Sequence, residues 1–172
     1  MGRRGCFPSR PMGSSLFLGY DSGKEFEDVN RMNEEPSASG IPMTEVMRRR
    51  LADVRRALLR LHKALLDRER ADYERVYGQV SSGELLQLVI NHGQFAWLRP
   101  VSELIVRIDE TLDAAEPAAD ADAEALLAGA RALLKPSEAG GGFGQKYLAA
   151  IQREPDVVLA HREVARLLSA GS

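Results

Sequence analysis

From Thr44 to about Gln79, apolar side chains at Leu51, Val54, Leu58, Leu61, Leu65, Tyr73 and Val76 return every three or four positions. That spacing places them on one face of an α-helix. The opposite face carries Arg56, Arg60, Lys63, Asp67 and Arg70. Acids are interleaved with these cations and no aromatic side chain stands among them for bases to stack on, so the pattern describes a solvated helix face.

Gly78 ends the first pattern, and Ser81 with Glu84 has the spacing of a capping box, which satisfies free amide donors at a helix start. A second helix is expected from there to about Asp113. Its stripe runs through Leu85, Val89 and Ala96, then moves to Val101, Leu104, Ile105, Ile108 and Leu112 beyond Pro100. A proline inside a helix removes one backbone bond and crowds the preceding turn, which predicts a kink between Asn91 and Pro100. A short third helix, Ala123 to Lys135, is stopped by Pro136. Pro117 suits a first helical turn before it, and the glycines at 140–142 form the next joint. The fourth helix, about Gln145 to Ser169, bends at Pro155.

Short joints between long amphipathic helices make neighbours antiparallel. The predicted fold is therefore all-α: an antiparallel up-down-up-down four-helix bundle over residues 43–172, with proline-kinked second and fourth helices. Residues 1–42 are rich in Gly, Ser, Pro and Asn and lack either structural period, so a disordered leader is expected there. Met43, directly before the first pattern, is an alternative start. The leader has no acid before Asp21, which also permits a transit peptide, while Gly2 is followed at the sixth position by Cys6 rather than the hydroxyl of a myristoylation site.

Composition narrows the function classes. With 172 residues there is room for one domain with a sizeable core. The apolar share of 44% and charged share of 28% are those of an ordinary globular chain, and a net charge of −2 provides no general field for nucleic acid or an anionic membrane. Cys6 is the sole cysteine, so no intrachain disulfide, CxxC centre or thiolate cluster can form, and a cytoplasmic location fits. No apolar run approaches the roughly 20 residues that cross a bilayer.

Several chemistries lack their residues. Leu59, Val89 and Val158 stand three positions before His62, His92 and His161, where a di-iron bundle has Glu. A zinc His-Glu-x-x-His helix and a Gly-x-Ser-x-Gly elbow are also missing. The run Gly19 to Glu25 is too short between glycines for a phosphate loop, and Gln145 stands where a dinucleotide fingerprint after Gly140 would need its third glycine. No cofactor and no metal is expected.

At 100° per residue, His62 and Glu69 fall on the first helix's apolar stripe. His92, Arg99, Glu103 and Glu110 fall on the second helix's early stripe, and His161 aligns with Tyr147 and Val158. Buried polar groups usually bond one another, so Arg99 paired with Glu103 or Glu69 is the first reading of this seam. The alternative is a ligand pocket among His62, Glu69, His92, Arg99, Glu103 and His161, with Arg99 gripping a small anion and a His-Glu pair moving a proton.

The stretch Phe95 to Glu110, with Phe143-Gly144 and Pro155 to His161, resembles small bacterial helical proteins of uncharacterised function over about Arg50 to Leu168. The resemblance implies a bacterial cytoplasmic origin and transfers no activity, cofactor or catalytic residue. The expected function is accordingly non-enzymatic, acting through a protein partner or a homodimer. The alternative is small-molecule binding or catalysis in the seam.

Overall fold

The computed structural model describes residues 42–115, 118–138 and 142–170. The expected disordered leader, Cys6 and the glycine-lysine run near Gly19 lie outside the described residues, apart from Pro42. The described chain is all-helical. Six α-helices occur in it: α1 (Glu45–Tyr77), α2 (Ser82–Asn91), α3 (Arg99–Asp113), α4 (Asp120–Leu133), α5 (Phe143–Arg153) and α6 (Pro155–Ser169), with a 3-10 turn at Ala96–Leu98 before α3. Among the described residues there is no strand, only an isolated bridge between Pro42 and Ala119. No described helix is long and apolar enough to cross a membrane.

The 33 residues of α1 contain neither Gly nor Pro and reach about 50 Å. The Thr44 hydroxyl caps the start by accepting from the Met47 amide at 3.3 Å, and Gly78, at φ 89°, supplies the positive backbone angle that ends it. Leu51, Val54, Ala57, Leu58, Leu61 and Leu65 are buried along one stripe. The Ser81–Glu84 capping box forms with both of its bonds.

The expected second and fourth helices are not kinked but divided. After Asn91 the chain leaves helical geometry at His92 (φ −93°, ψ 130°), winds through the 3-10 turn and restarts at Arg99. Phe95, Trp97 and Leu98 turn into the core there. Pro100 lies in the first turn of α3, where its missing amide had no helical partner to lose. Glu154 is extended (φ −118°, ψ 110°), so Pro155 opens α6 as a new helix.

Cross-links reveal the direction of packing. Arg48 donates to the Leu112 carbonyl at 2.8 Å, Arg55 pairs with Asp109, and His62 meets Ser102, so α1 and α3 run oppositely. Arg60 of α1 pairs with Glu163 of α6, whose first turn lies beside Asp67 and Ala71, again an opposite run. Thr44 bonds Asp120 and Arg50 pairs with Glu124, so the beginnings of α1 and α4 run the same way. Further contacts join α3 to α4 and α4 to α6.

Every buried side chain in the core is apolar or aromatic, and no charged residue is buried among the described ones. Arg68 and Arg50 come nearest, with side chains 15% and 18% exposed; in Arg50 the Nε and Nη2 atoms are buried without partners, while Nη1 bonds Glu124 at 3.0 Å. Those two unmet donors offset what the ion pair contributes. Arg50→Met should therefore leave urea stability unchanged or raise it by about 1 kcal/mol, whereas Glu124→Ala, which strands the guanidinium, should lower it by about 1 kcal/mol. A marked loss in Arg50→Met would show that the pair contributes net stability.

Candidate functional site

No hydrogen bond or ion pair joins any two of the six seam residues among the described residues, although Glu69 and His92 share Gln94 as a partner. His62 is half-buried on α1 with Nε2 2.9 Å from Ser102 Oγ of α3. Burial lowers its pKa from the usual imidazole range. A serine beside a histidine resembles part of a nucleophilic triad, but Ser102 Oγ also lies 3.5 Å from the Leu98 carbonyl, and no carboxylate bonds to His62 among the described residues.

Glu69 accepts from Gln94 Nε2 at 3.2 Å, and the same amide reaches the Glu69 carbonyl at 3.4 Å. This contact braces the break between α2 and α3 against α1. His92 caps the end of α2, its amide donating to the Leu88 carbonyl at 2.8 Å. Its Nδ1 accepts from the Gln94 amide at 3.2 Å, and its ring stands edge-on to Tyr73 with centroids 5.4 Å apart.

Arg99 and Glu103 are exposed and form no hydrogen bond or ion pair among the described residues. The expected pairing of Arg99 with Glu103 or Glu69 does not occur. The helical phase that aligned them with Leu85 and Val89 is reset by the break, and on α3 itself they lie about 180° from the buried stripe of Val101, Leu104, Ile105 and Ile108. Glu110 is exposed as well.

His161 of α6 has the best-defined partner. The Tyr147 hydroxyl of α5 lies 2.7 Å from its Nδ1, and Tyr147 is fully buried. A buried phenol needs an acceptor for its proton and Nδ1 is the acceptor within reach, so Tyr147 donates and the neutral ring carries its proton on Nε2. Burial raises the Tyr147 pKa far above the ordinary phenol range and lowers that of His161. Ser102, Gln94 and Tyr147 were not among the residues singled out from sequence as site candidates; only the shared helical phase of Tyr147 and His161 pointed to one of these contacts.

The cationic face of α1 is matched by acids: Arg56 with Asp53, Arg60 with Glu163, Lys63 with Asp67 and Arg70 with Glu74. Three of the clefts among the described residues bear on these side chains or on the seam histidines. One of about 540 Å³ lies between α1 and α6 and is lined by Arg60, Lys63 and Arg68 but also by Asp67, Glu154, Asp156 and Glu163. One of about 550 Å³ lies between the end of α1 and α2, with Tyr73, Val80, Leu88 and His92 on its walls. The third, about 270 Å³, lies between α4 and α6 beside His161. Neither His62 nor Ser102 lines any of these clefts. No group of three or more His, Cys, Asp or Glu side chains is placed to hold a metal ion among the described residues.

No protein family, curated protein sequence or solved structure gives a significant match to this chain.

Proposed function

We propose that the protein is a non-enzymatic helical scaffold of the cytoplasm that acts by associating with another protein or with a second copy of itself, and that α2 is the element through which it docks. The framework in this reading is an up-down-up-down four-helix bundle of α1, α3, α4 and α6, with α2 and α5 as additions. Its support is the ring of contacts α1–α3, α3–α4, α4–α6 and α6–α1, together with the directions of their cross-links.

The observation that carries the docking role is that α2 has no buried residue, although Leu85, Leu86, Leu88, Val89 and Ile90 make up half its length. A helix that is apolar around most of its circumference normally lies inside a protein. Here Leu86 is 58% exposed and Ile90 55%, and the adjoining end of α1 leaves Val76 and Tyr77 exposed as well. Apolar surface left in water at one end of a molecule is a feature of interaction sites. An enzymatic reading has less support, because the polar seam is dispersed and the Ser102–His62 contact lacks a cleft.

Sedimentation of the wild-type chain beside Leu86→Glu/Ile90→Glu tests this, together with crosslinking capture from the host. Wild type should self-associate or retain a partner, and the double variant should weaken that association at least about tenfold. Its thermal midpoint should hardly change, since exposed substitutions generally stay within about 0.5 kcal/mol. A wild-type chain that stays monomeric and retains nothing, or a variant that associates equally well, would refute the role of α2.

A further inference from the structure

We propose that the cleft between α4 and α6 is a binding site for a small monocarboxylate with a short aliphatic tail, held by Arg131 and the Nε2–H of His161. This site is independent of α2 and of the docking role.

The cleft of about 270 Å³ is lined by Arg131, Leu134, His161, Ala165, Leu168 and Ser169. None of these is acidic, whereas at least one carboxylate lines each of four larger clefts. Arg131 is half-buried, and its Nε and Nη2 donate to the Leu168 carbonyl at 3.2 and 3.1 Å. That carbonyl is neutral. Arg131 forms no ion pair among the described residues, so no described carboxylate balances its charge in the cleft, and neither of its bonds to Leu168 uses Nη1.

The second donor is fixed by the core. Tyr147 occupies His161 Nδ1, which leaves the imidazole proton on Nε2 of a ring that lines the cleft. Ser169 Oγ is already directed to the Ala165 carbonyl. The site therefore combines one cation that no described carboxylate balances and one oriented neutral donor, which a carboxylate satisfies with both oxygens. Leu134, Ala165 and Leu168 supply the apolar wall for a tail, and the small side chain at Ala165 keeps the cleft open. The volume is slightly below the range of drug-sized sites, which favours a short acid.

The test is a pentanoate titration of the full chain followed by NMR, with pentanamide as the uncharged control. Pentanoate should shift the Arg131 Nε–H and His161 ring signals saturably, with a dissociation constant on the order of 1 mM, and pentanamide at least about tenfold more weakly. Arg131→Gln should lose at least about tenfold in affinity. Because Arg131 also tethers the end of α6, Ala165→Leu serves as a second variant: it fills the cleft from an exposed helical position, retains both donors and should abolish the shifts. Absence of saturable shifts in wild type, equal shifts with pentanamide, or undiminished binding in Ala165→Leu would each overturn the proposal.

Discussion

Replacing Phe95 with alanine should lower the free energy of unfolding by about 3 to 4 kcal/mol, which is typical of removing a fully buried aromatic ring. Phe95 is 1% exposed and stands at the point where the chain passes from α2 to α3. Its ring lies 6.0 Å from Tyr73 and 6.3 Å from His92, centroid to centroid, so it joins the end of α1, the cap of α2 and the core. Two consequences should separate in experiment. Global stability falls through the cavity and the lost dispersion contacts. Amide exchange in α2 should rise more than in α1, because α2 has no fully buried side chain and holds to the core only through the partly buried Leu85, Leu88 and Val89 and this junction. Urea unfolding with residue-resolved hydrogen exchange checks both. A loss below 1 kcal/mol, or an α2 as protected as in wild type, would mean that another contact anchors that helix.

The same junction marks where one-dimensional reading ends. The helix of α1 was legible because an unbroken 3.6-residue period and a terminal glycine agree over its length. The start of α2 was legible from two residues, Ser81 and Glu84, because a capping box is local chemistry. The break at 92–98 was not, because Ala96 continues the phase of Leu85 and Val89 while the inward turn of Phe95, Trp97 and Leu98 is decided by tertiary packing. An error of one turn then carries forward. Arg99 and Glu103, projected through an intact helix, point inward; counted from the true start of α3, they point to water.

His62, which shares the uninterrupted period of α1, is half-buried. Its partner Ser102 lies 40 residues away and could not be inferred from helical phase alone. Tyr147 and His161 shared a projected phase, yet the bond between them joins two separate helices across the extended Glu154. Of the α4–α6 cleft only His161 was singled out from sequence, because Arg131 resembles any other cation on an Ala-rich helix until α6 is laid beside it.

The two half-buried histidines should make the protein acid-labile well above the range in which carboxylates titrate. Burial lowers the folded-state pKa of His62 and of His161 from the model-peptide value of 6.5. The unfolded chain therefore binds protons at these sites more readily than the folded one, and stability rises with pH across the interval between the two values. Their contribution is complete above the unfolded value and begins to be lost as pH falls through about 6.5, the loss ending once the folded value is passed. Neither ring has a described carboxylate partner to reverse the sign: His62 bonds Ser102, while His161 bonds Tyr147. Glu74 and Glu84, whose pKa values are lowered mainly by hydrogen bonds, destabilise the fold only when pH falls below about 4.5, so the two windows are distinct. Urea unfolding between pH 7.5 and 5 should show uptake of up to about two protons on unfolding. The slope should be roughly halved in His62→Gln or His161→Gln and nearly flat in the double variant. A slope that survives both substitutions would assign the acid sensitivity to other groups.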